Sequence, residues 1–470
     1  MAEEEPLSAT APREQRRLTV QIDHSTDDYN CENSGLPWYT RLVGRNWLTI
    51  SYSIPPSIVS VLLFLGANAA VGAVSGAPPS DPGVRVGAWF IVATIGTEVG
   101  VDIMRTDIDP TYIQRKPLYW VTLAVAWSAS LVISGGNLGM WAFAVWWLQW
   151  CVSILVSDVV QVERPVLDAL RNATMFSTVF LLIAASVSGY IYVLSTVSGV
   201  AQVTLTGCVY PTISWGLKEV LFKVVSEEND KDAGLSENDD VESGTFITIV
   251  VFTEALLELA NKVAIARITS TYGFAGTMAL SFVIEVMGKA AVLWWHRNKM
   301  VAEQVVTKRT MTGSTISPET TSNESPSRRT ESLKKAAHRH ENANDKKRYE
   351  FRTYYEEFGE SIATIVAFGT LIVKGELQPA DGLARLAFAL SCEYFADLGV
   401  WVMMESDGYN LTNVVYRFSP ARIATPVSMV VVALAGVEIG NEMVAMALVN
   451  VVVNGTVGNS TSNGTMNATL

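Results

Sequence analysis

The chain is poor in charge, in histidine and in cysteine, and each shortage excludes something. Only 17% of its 470 residues are Asp, Glu, Lys or Arg. An ordinary soluble protein carries about 25%, so this composition argues against a water-soluble globule. The four histidines (His24, His296, His338 and His340) all stand outside the apolar runs or at their ends. That counts against a His-rich metal permease, although hard cations can bind to carboxylates alone. The four cysteines (Cys31, Cys151, Cys208 and Cys392) show no paired spacing, which argues against a disulfide framework and a thiolate zinc site. The short alternating segments of a membrane β-barrel are absent. So are a G-x-G-x-x-G element, a phosphate loop, HExxH and G-x-S-x-G in any usable context. A Glu-x-x-His partner for a carboxylate metal pair is missing too. A membrane-embedded enzyme is therefore the weakest reading, and no cofactor, resident metal or nucleic-acid partner is expected.

What is abundant is apolar sequence. Hydrophobic residues make up 49% of the chain and fall in repeated runs of around twenty, enough to cross a hydrocarbon core roughly 30 Å thick. The pattern predicts an all-α polytopic membrane protein with about eleven transmembrane helices. They are expected within residues 47–76 and at 84–104, 118–134, 138–160, 173–194, 199–217, 244–266, 273–295, 358–373, 380–404 and part of 423–453. Pro55-Pro56 interrupts the first span, and Gly207 with Pro211 the sixth.

Basic residues set the orientation. With the N-terminus in the cytoplasm and strict alternation, the inner segments hold 28 of the 34 Lys and Arg residues, as the positive-inside rule requires. An odd span number then puts the C-terminus in the lumen or outside the cell, at the plasma membrane or a secretory-pathway endomembrane. Residues 1–46 read as a disordered cytoplasmic tail without a cleavable signal, and 47–295 as the first eight spans. The acidic cytoplasmic loop 226–243 carries eight acids and one lysine. Residues 296–357 read as a disordered, basic, Ser/Thr-rich cytoplasmic loop, 358–453 as the last three spans and 454–470 as an external tail. A basic loop of this kind is drawn to anionic lipid in the inner leaflet. Ser332 follows Arg328-Arg329, and Ser236 precedes Glu237 and Asp239, patterns suited to cytoplasmic kinases.

Ionisable residues inside the predicted spans are the functional candidates, because each is unfavourable at membrane depth. Nine are acids: Glu98, Asp102, Glu254, Glu258, Glu285, Glu393, Asp397, Glu438 and Glu442. Two are bases, Lys262 and Lys289. Four-residue spacing predicts the same-helix pairs Glu258–Lys262 and Glu285–Lys289 and leaves seven acids without a cation in their own span. Such an excess suits a cation path or carboxylates that load and release protons. Neutral acids serving only as hydrogen-bond donors between helices are the structural alternative.

A Thr-Glu-x-x-x-acid pattern starts at Thr97 and again at Thr253, five spans apart, so the two copies cross in opposite directions, as in inverted repeats. A five-plus-five scheme pairs the first span with the sixth, the two that are interrupted. This topology resembles that of eleven-span, inverted-repeat amino-acid and cation symporters. The resemblance implies a central site between broken helices one and six; it is one of topology, without a family signature motif. The related pattern ending in Glu393 and Asp397 has no place in that scheme. The expected function is a secondary transporter of a small solute or cation, coupled to H⁺ or another cation. The alternative is a non-transporting receptor or scaffold that uses its cytoplasmic loops for partners.

The tail offers a direct test of orientation. It holds acceptor triplets at Asn454, Asn459, Asn463 and Asn467 and no charged side chain, and an external position makes Asn459, Asn463 and Asn467 glycosylation sites. Glycosidase treatment of membranes should remove the mass of one or more glycans, and Asn459→Gln with Asn463→Gln should abolish most of that shift. Protease access to a C-terminal tag in sealed, cytosol-facing-out vesicles would overturn the odd span number.

Overall fold

The computed structural model describes residues 38–75, 85–93, 95–96, 99, 148, 151–152, 155, 159, 165–232, 244–312, 326–406, 409 and 420–459. These residues are helical nearly throughout, with no strand among them. Glu98, Asp102, Ser236, Asn463 and Asn467 lie outside the described residues.

Helix α1 (Trp38–Ser75) shows how polarity is arranged. Arg45, Thr49, Ser53, Ser57 and Ser60 are buried, while Trp47 is 64% and Leu62 61% exposed. A soluble helix does the reverse. The buried hydroxyls donate to carbonyls one turn earlier, Thr49 to Arg45, Ser57 to Ser53 and Ser60 to Pro56, so these hydroxyls are satisfied within their own helix. The helix passes through Pro55-Pro56 unbroken, contrary to the interruption expected there. Residues 85–93 are helical, and Trp89 among them stacks on Phe64 of α1 with ring centroids 5.3 Å apart.

Helix α2 (Val166–Thr196) is followed by α3 (Val200–Thr204), a π-helical turn (Leu205–Val209) and α4 (Tyr210–Asp232). Here the expected interruption appears as the π turn. Helices α5 (Gly244–Ala266), α6 (Thr271–Thr312), α7 (Pro326–Val373), α8 (Pro379–Ser406) and α9 (Pro420–Asn459) complete the described residues.

The bundle is built around α5. Every side chain over residues 253–266 is buried. Its most extensive contact is with α7, followed by α9, and it also meets α2 and α4. Helix α7 in turn packs on α1 and α8. The end of α5 is closed by Arg385 of α8, whose guanidinium donates to the Ile268 and Thr269 carbonyls and lies 5.2 Å from the centroid of the Phe274 ring. A cation at a helix C-terminus answers the carbonyls left without partners there.

Among the described residues, four helical stretches are long and apolar enough to cross a membrane: Tyr39–Ala73, Thr271–Trp294, Pro379–Ser406 and Pro426–Ala445. Length, composition and the outward-facing apolar side chains make this a membrane-embedded protein. These stretches coincide with the first, eighth, tenth and eleventh expected spans. The third lies outside the described residues, the fourth does so in large part and the second in part. Two stretches expected to be unstructured are partly helical: α4 continues to Asp232, α6 to Thr312, and α7 begins at Pro326. Ser332 therefore stands on a helix, and Asn459 is the last residue of α9. Low apolar content predicted disorder there, but Glu, Lys, Arg and Ala are strong helix formers, and the flanking buried segments supply a start from which a helix can propagate.

Gly207 in the π turn permits the close approach of α6. A Cβ there would stand 3.1 Å from Leu280 Cδ2 and 3.2 Å from the Thr277 carbonyl oxygen. Gly207→Val should therefore lower stability by about 1–3 kcal/mol through overpacking. Gly216→Ala, with nothing within 4 Å of its Cβ, should be neutral or gain up to about 1 kcal/mol. Thermal unfolding of the purified protein in lipid nanodiscs reads both.

Candidate functional site

Five helices each turn a polar stripe of four-residue spacing toward one another. The stripes are Tyr210, Ser214 and Lys218 on α4; Glu254, Glu258 and Lys262 on α5; and Ser281, Glu285 and Lys289 on α6. Helix α7 supplies Arg352, Glu356, Glu360 and Thr364, and α8 supplies Glu393 and Asp397. Residues four apart share one face of a helix, so each stripe places its charges inside and leaves apolar side chains to face outward.

Helices α4 and α5 run past each other and match group for group. The Tyr210 hydroxyl donates to the Leu257 carbonyl at 2.9 Å, and Ser214 to Glu258 at 3.5 Å. Lys218 Nζ lies 2.6 Å from Glu254 Oε1 and 3.1 Å from Glu258 Oε1. Tyr190 of α2 donates to Asn261 at 3.0 Å. Further along α5, Lys262 reaches Glu360 of α7 at 2.9 Å and Glu393 of α8 at 2.8 Å, and Thr364 donates to the same Glu393 oxygen. Sequence spacing pairs Glu258 with Lys262; in the structure Glu258 meets Lys218, and the ion pairs of Lys262 run across the bundle. The reason is geometric, since facing helices bring carboxylates to the ammonium groups from the side on which both stripes are buried.

The other expected pair forms, with Lys289 Nζ 2.6 Å from Glu285 Oε1. Asp397 at 3.7 Å and Glu357 at 3.8 Å surround the same ammonium, and the Trp401 indole donates to the second Glu357 oxygen. Arg352 grips Glu219 with two nitrogens, at 2.6 and 3.1 Å, and Glu356 at 2.9 Å. Glu438 and Glu442 of α9 stand in different pairs, with Lys374 and with Arg85, the latter at 2.9 Å.

Among the described residues the result is an interior in which acids outnumber bases. Lys218, Lys262, Lys289 and Arg352 pair with nine carboxylates: Glu219, Glu254, Glu258, Glu285, Glu356, Glu357, Glu360, Glu393 and Asp397. Glu360 lies in the field of all three lysines. Two like charges about 4 Å apart repel by roughly 4 kcal/mol at an effective dielectric of about 20. An excess of this size calls for protons or another cation. Beside these groups, between α4, α5, α6 and α7, is a cavity of about 280 Å³. Glu254, Glu258, Glu285, Glu356 and Glu360 line it, with Lys218, Lys289 and Arg352 among them and Trp215 and Met287 on its apolar wall. Tyr349 also lines it; this phenol lies outside the apolar stretch 358–373, and burial pushes its pKa above the ordinary range, leaving it a neutral group.

Of the residues singled out from sequence, Glu254, Glu258, Lys262, Glu285, Lys289, Glu393 and Asp397 gather here, and Glu438 and Glu442 do not. Lys218, Glu219, Arg352, Glu356, Glu357 and Glu360 were missed. For Lys218, Arg352, Glu356 and Glu360 the signal was the four-residue spacing itself, continued from the polar flanks of the apolar runs into the runs; Glu219 and Glu357 stand one position off those stripes. No protein-family model, curated protein or solved structure matches the chain.

Lys262 tests how far the network depends on its cations. It is 2% exposed, so Lys262→Met leaves Glu360 and Glu393 facing each other and should cost about 3–5 kcal/mol. Adding Glu393→Gln should recover part of that loss. Arg267→Met, which breaks a pair with Glu376 whose side chains are 41% and 38% exposed, should cost no more than about 1 kcal/mol. The same thermal unfolding measurement compares the three proteins.

Proposed function

We propose that the protein is a secondary transporter of a small solute or cation, coupled to H⁺ or another cation through its intramembrane carboxylates. The observation that carries this reading is the convergence of carboxylates from several helices on one cavity, with too few cations to neutralise them. Such a cavity can accept a positively charged solute, and its carboxylates can exchange protons with it. Glu254 and Glu258 share one ammonium, and Glu254 is the side chain assigned to reversible protonation, with Glu258 as the retained charge. The finer topology belongs to the same proposal: about eleven spans, a cytoplasmic N-terminus, an external, glycosylated tail and a five-plus-five inverted repeat. Kinases acting on Ser236 and Ser332 complete it.

One observation favours a second reading. Each described acid inside the predicted spans has a cation within 4 Å, Asp397 the most distant at 3.7 Å. Charges paired in this way are also what a multipass receptor or scaffold would use to fix helices against each other.

Transport separates the two. In proteoliposomes screened with cations and amino acids, an imposed pH gradient should drive uptake of a substrate. Glu254→Gln keeps size and hydrogen bonding, so it should leave folding intact and reduce the pH-gradient dependence of uptake by about tenfold or more. Either substitution leaves Lys218 paired with the remaining carboxylate, and Glu258→Gln should lower flux without abolishing its pH dependence. A flux whose pH dependence survives Glu254→Gln removes that residue from the coupling, and the absence of any flux favours the scaffold.

A further inference from the structure

Around Lys289 the polar groups do not balance. Its ammonium holds Glu285 Oε1 at 2.6 Å, but Asp397 Oδ1 is 3.7 Å and Glu357 Oε1 3.8 Å away. The two longer separations are beyond a hydrogen bond. Glu357 is 1% and Asp397 3% exposed, and among the described residues neither of these oxygens has a hydrogen-bond donor. Buried carboxylate oxygens are seldom left so. Glu357 cannot simply turn away, because Trp401 donates to its other oxygen.

Asp397 also belongs to a wider group of carboxylates. One carboxylate oxygen from each of Glu285, Glu360 and Asp397 lies within 4.8 Å of the other two. Three oxygens about 4 Å apart stand on a common sphere about 2.4 Å in radius, the ligand distance of Ca²⁺, so a modest contraction of this group suits Ca²⁺ and a further one Mg²⁺. The set contains no His and no Cys, which selects a hard, oxygen-seeking ion rather than zinc or copper. Charge points the same way. Five carboxylates (Glu285, Glu357, Glu360, Glu393 and Asp397) face two ammonium groups, Lys289 and Lys262, a formal excess of three negative charges, which a divalent ion offsets better than a monovalent one.

We propose that Glu285, Glu360 and Asp397, with Glu357 as a fourth ligand, form a binding site for a hard divalent cation of the Mg²⁺, Mn²⁺ or Ca²⁺ type. No resident metal is expected from the sequence, because the four ligands come from three helices and Glu357 and Glu360 sit at the edge of an apolar run. Lys262 holds Glu360 at 2.9 Å, and Lys289 is the built-in competitor at Glu285. Its ammonium occupies the Glu285 oxygen and withdraws from it when the metal enters. The ion would tie α6, α7 and α8 together, and its binding does not depend on transport.

Mn²⁺ is the probe. Purified full-length protein in lipid nanodiscs is titrated with Mn²⁺, and the free ion is read by its six-line electron paramagnetic resonance signal. One saturable ion per chain is expected, displaced by excess Ca²⁺ or Mg²⁺. Asp397→Asn and Glu357→Gln should each weaken binding by about tenfold or more, since affinity follows the charge of the ligand set. Glu442→Gln, in its separate pair with Arg85, should leave it unchanged. Lys289→Gln should bind about fivefold tighter or more, because a competing positive charge is gone; a misfolded variant cannot produce that gain. Absence of saturable binding at millimolar Mn²⁺, an unchanged affinity in Asp397→Asn, or no tightening in Lys289→Gln overturns the site. Mn²⁺ binding without flux defeats the transport proposal alone, and flux without Mn²⁺ binding defeats this one alone.

Discussion

A carboxylate buried among apolar helices has to be answered by positive charge, and among the described residues of this site four cations answer nine carboxylates. Much of the packing follows from that constraint. Lys218 joins α4 to α5, Lys262 joins α5 to α7 and α8, Lys289 joins α6 to α7 and α8, and Arg352 joins α7 to α4. Helices in lipid gain little from the hydrophobic effect when they touch, so close packing and polar contacts carry their association. The cations fix which helices are neighbours, while the apolar surfaces of α5, α7 and α9 fill the space between.

The sequence made the class of architecture and one part of the site legible. Apolar runs of membrane-crossing length identify a helical membrane protein, and the Glu254, Glu258, Lys262 stripe marks the helix that is most deeply buried. Glu285 with Lys289 was legible because both partners stand on one helix. The partners of Glu254 and Glu393 were not, since they come from elements far away in the chain. Glu357 and Glu360 escaped notice because hydropathy looks for the middle of an apolar run, and these two stand where it begins. Arg352 and Lys218 read as inner-loop charges for the same reason. Pro55-Pro56 reads as a break by local rules, yet neighbouring helices and internal hydroxyl bonds allow α1 to pass through it.

The cavity and the Lys289 cluster share residues but differ in kind. Around the cavity, Glu254 and Glu258 already hold a common ammonium through short contacts. Around Lys289, the ammonium is tight to one carboxylate and remote from two. At the first the contacts to the ammonium are short although carboxylates outnumber cations, while at the second two buried carboxylate oxygens have no hydrogen-bond donor among the described residues. Glu285 and Glu360 stand at both, so a change of charge at one is felt at the other.

The π turn at Leu205–Val209 sets the phase of everything after it. A π turn accommodates one residue more than an α turn, and one residue corresponds to about 100° of rotation around a helix axis. Were those five residues wound as ordinary α-helix, Tyr210, Ser214 and Lys218 would be carried around the axis by that angle. They would then leave Leu257, Glu258 and Glu254 and face a different neighbour. A local irregularity before Tyr210 thus decides, two turns later, which helix receives a lysine. It acts as a vernier on α4, and Gly207 allows α6 to lie close enough to hold the setting.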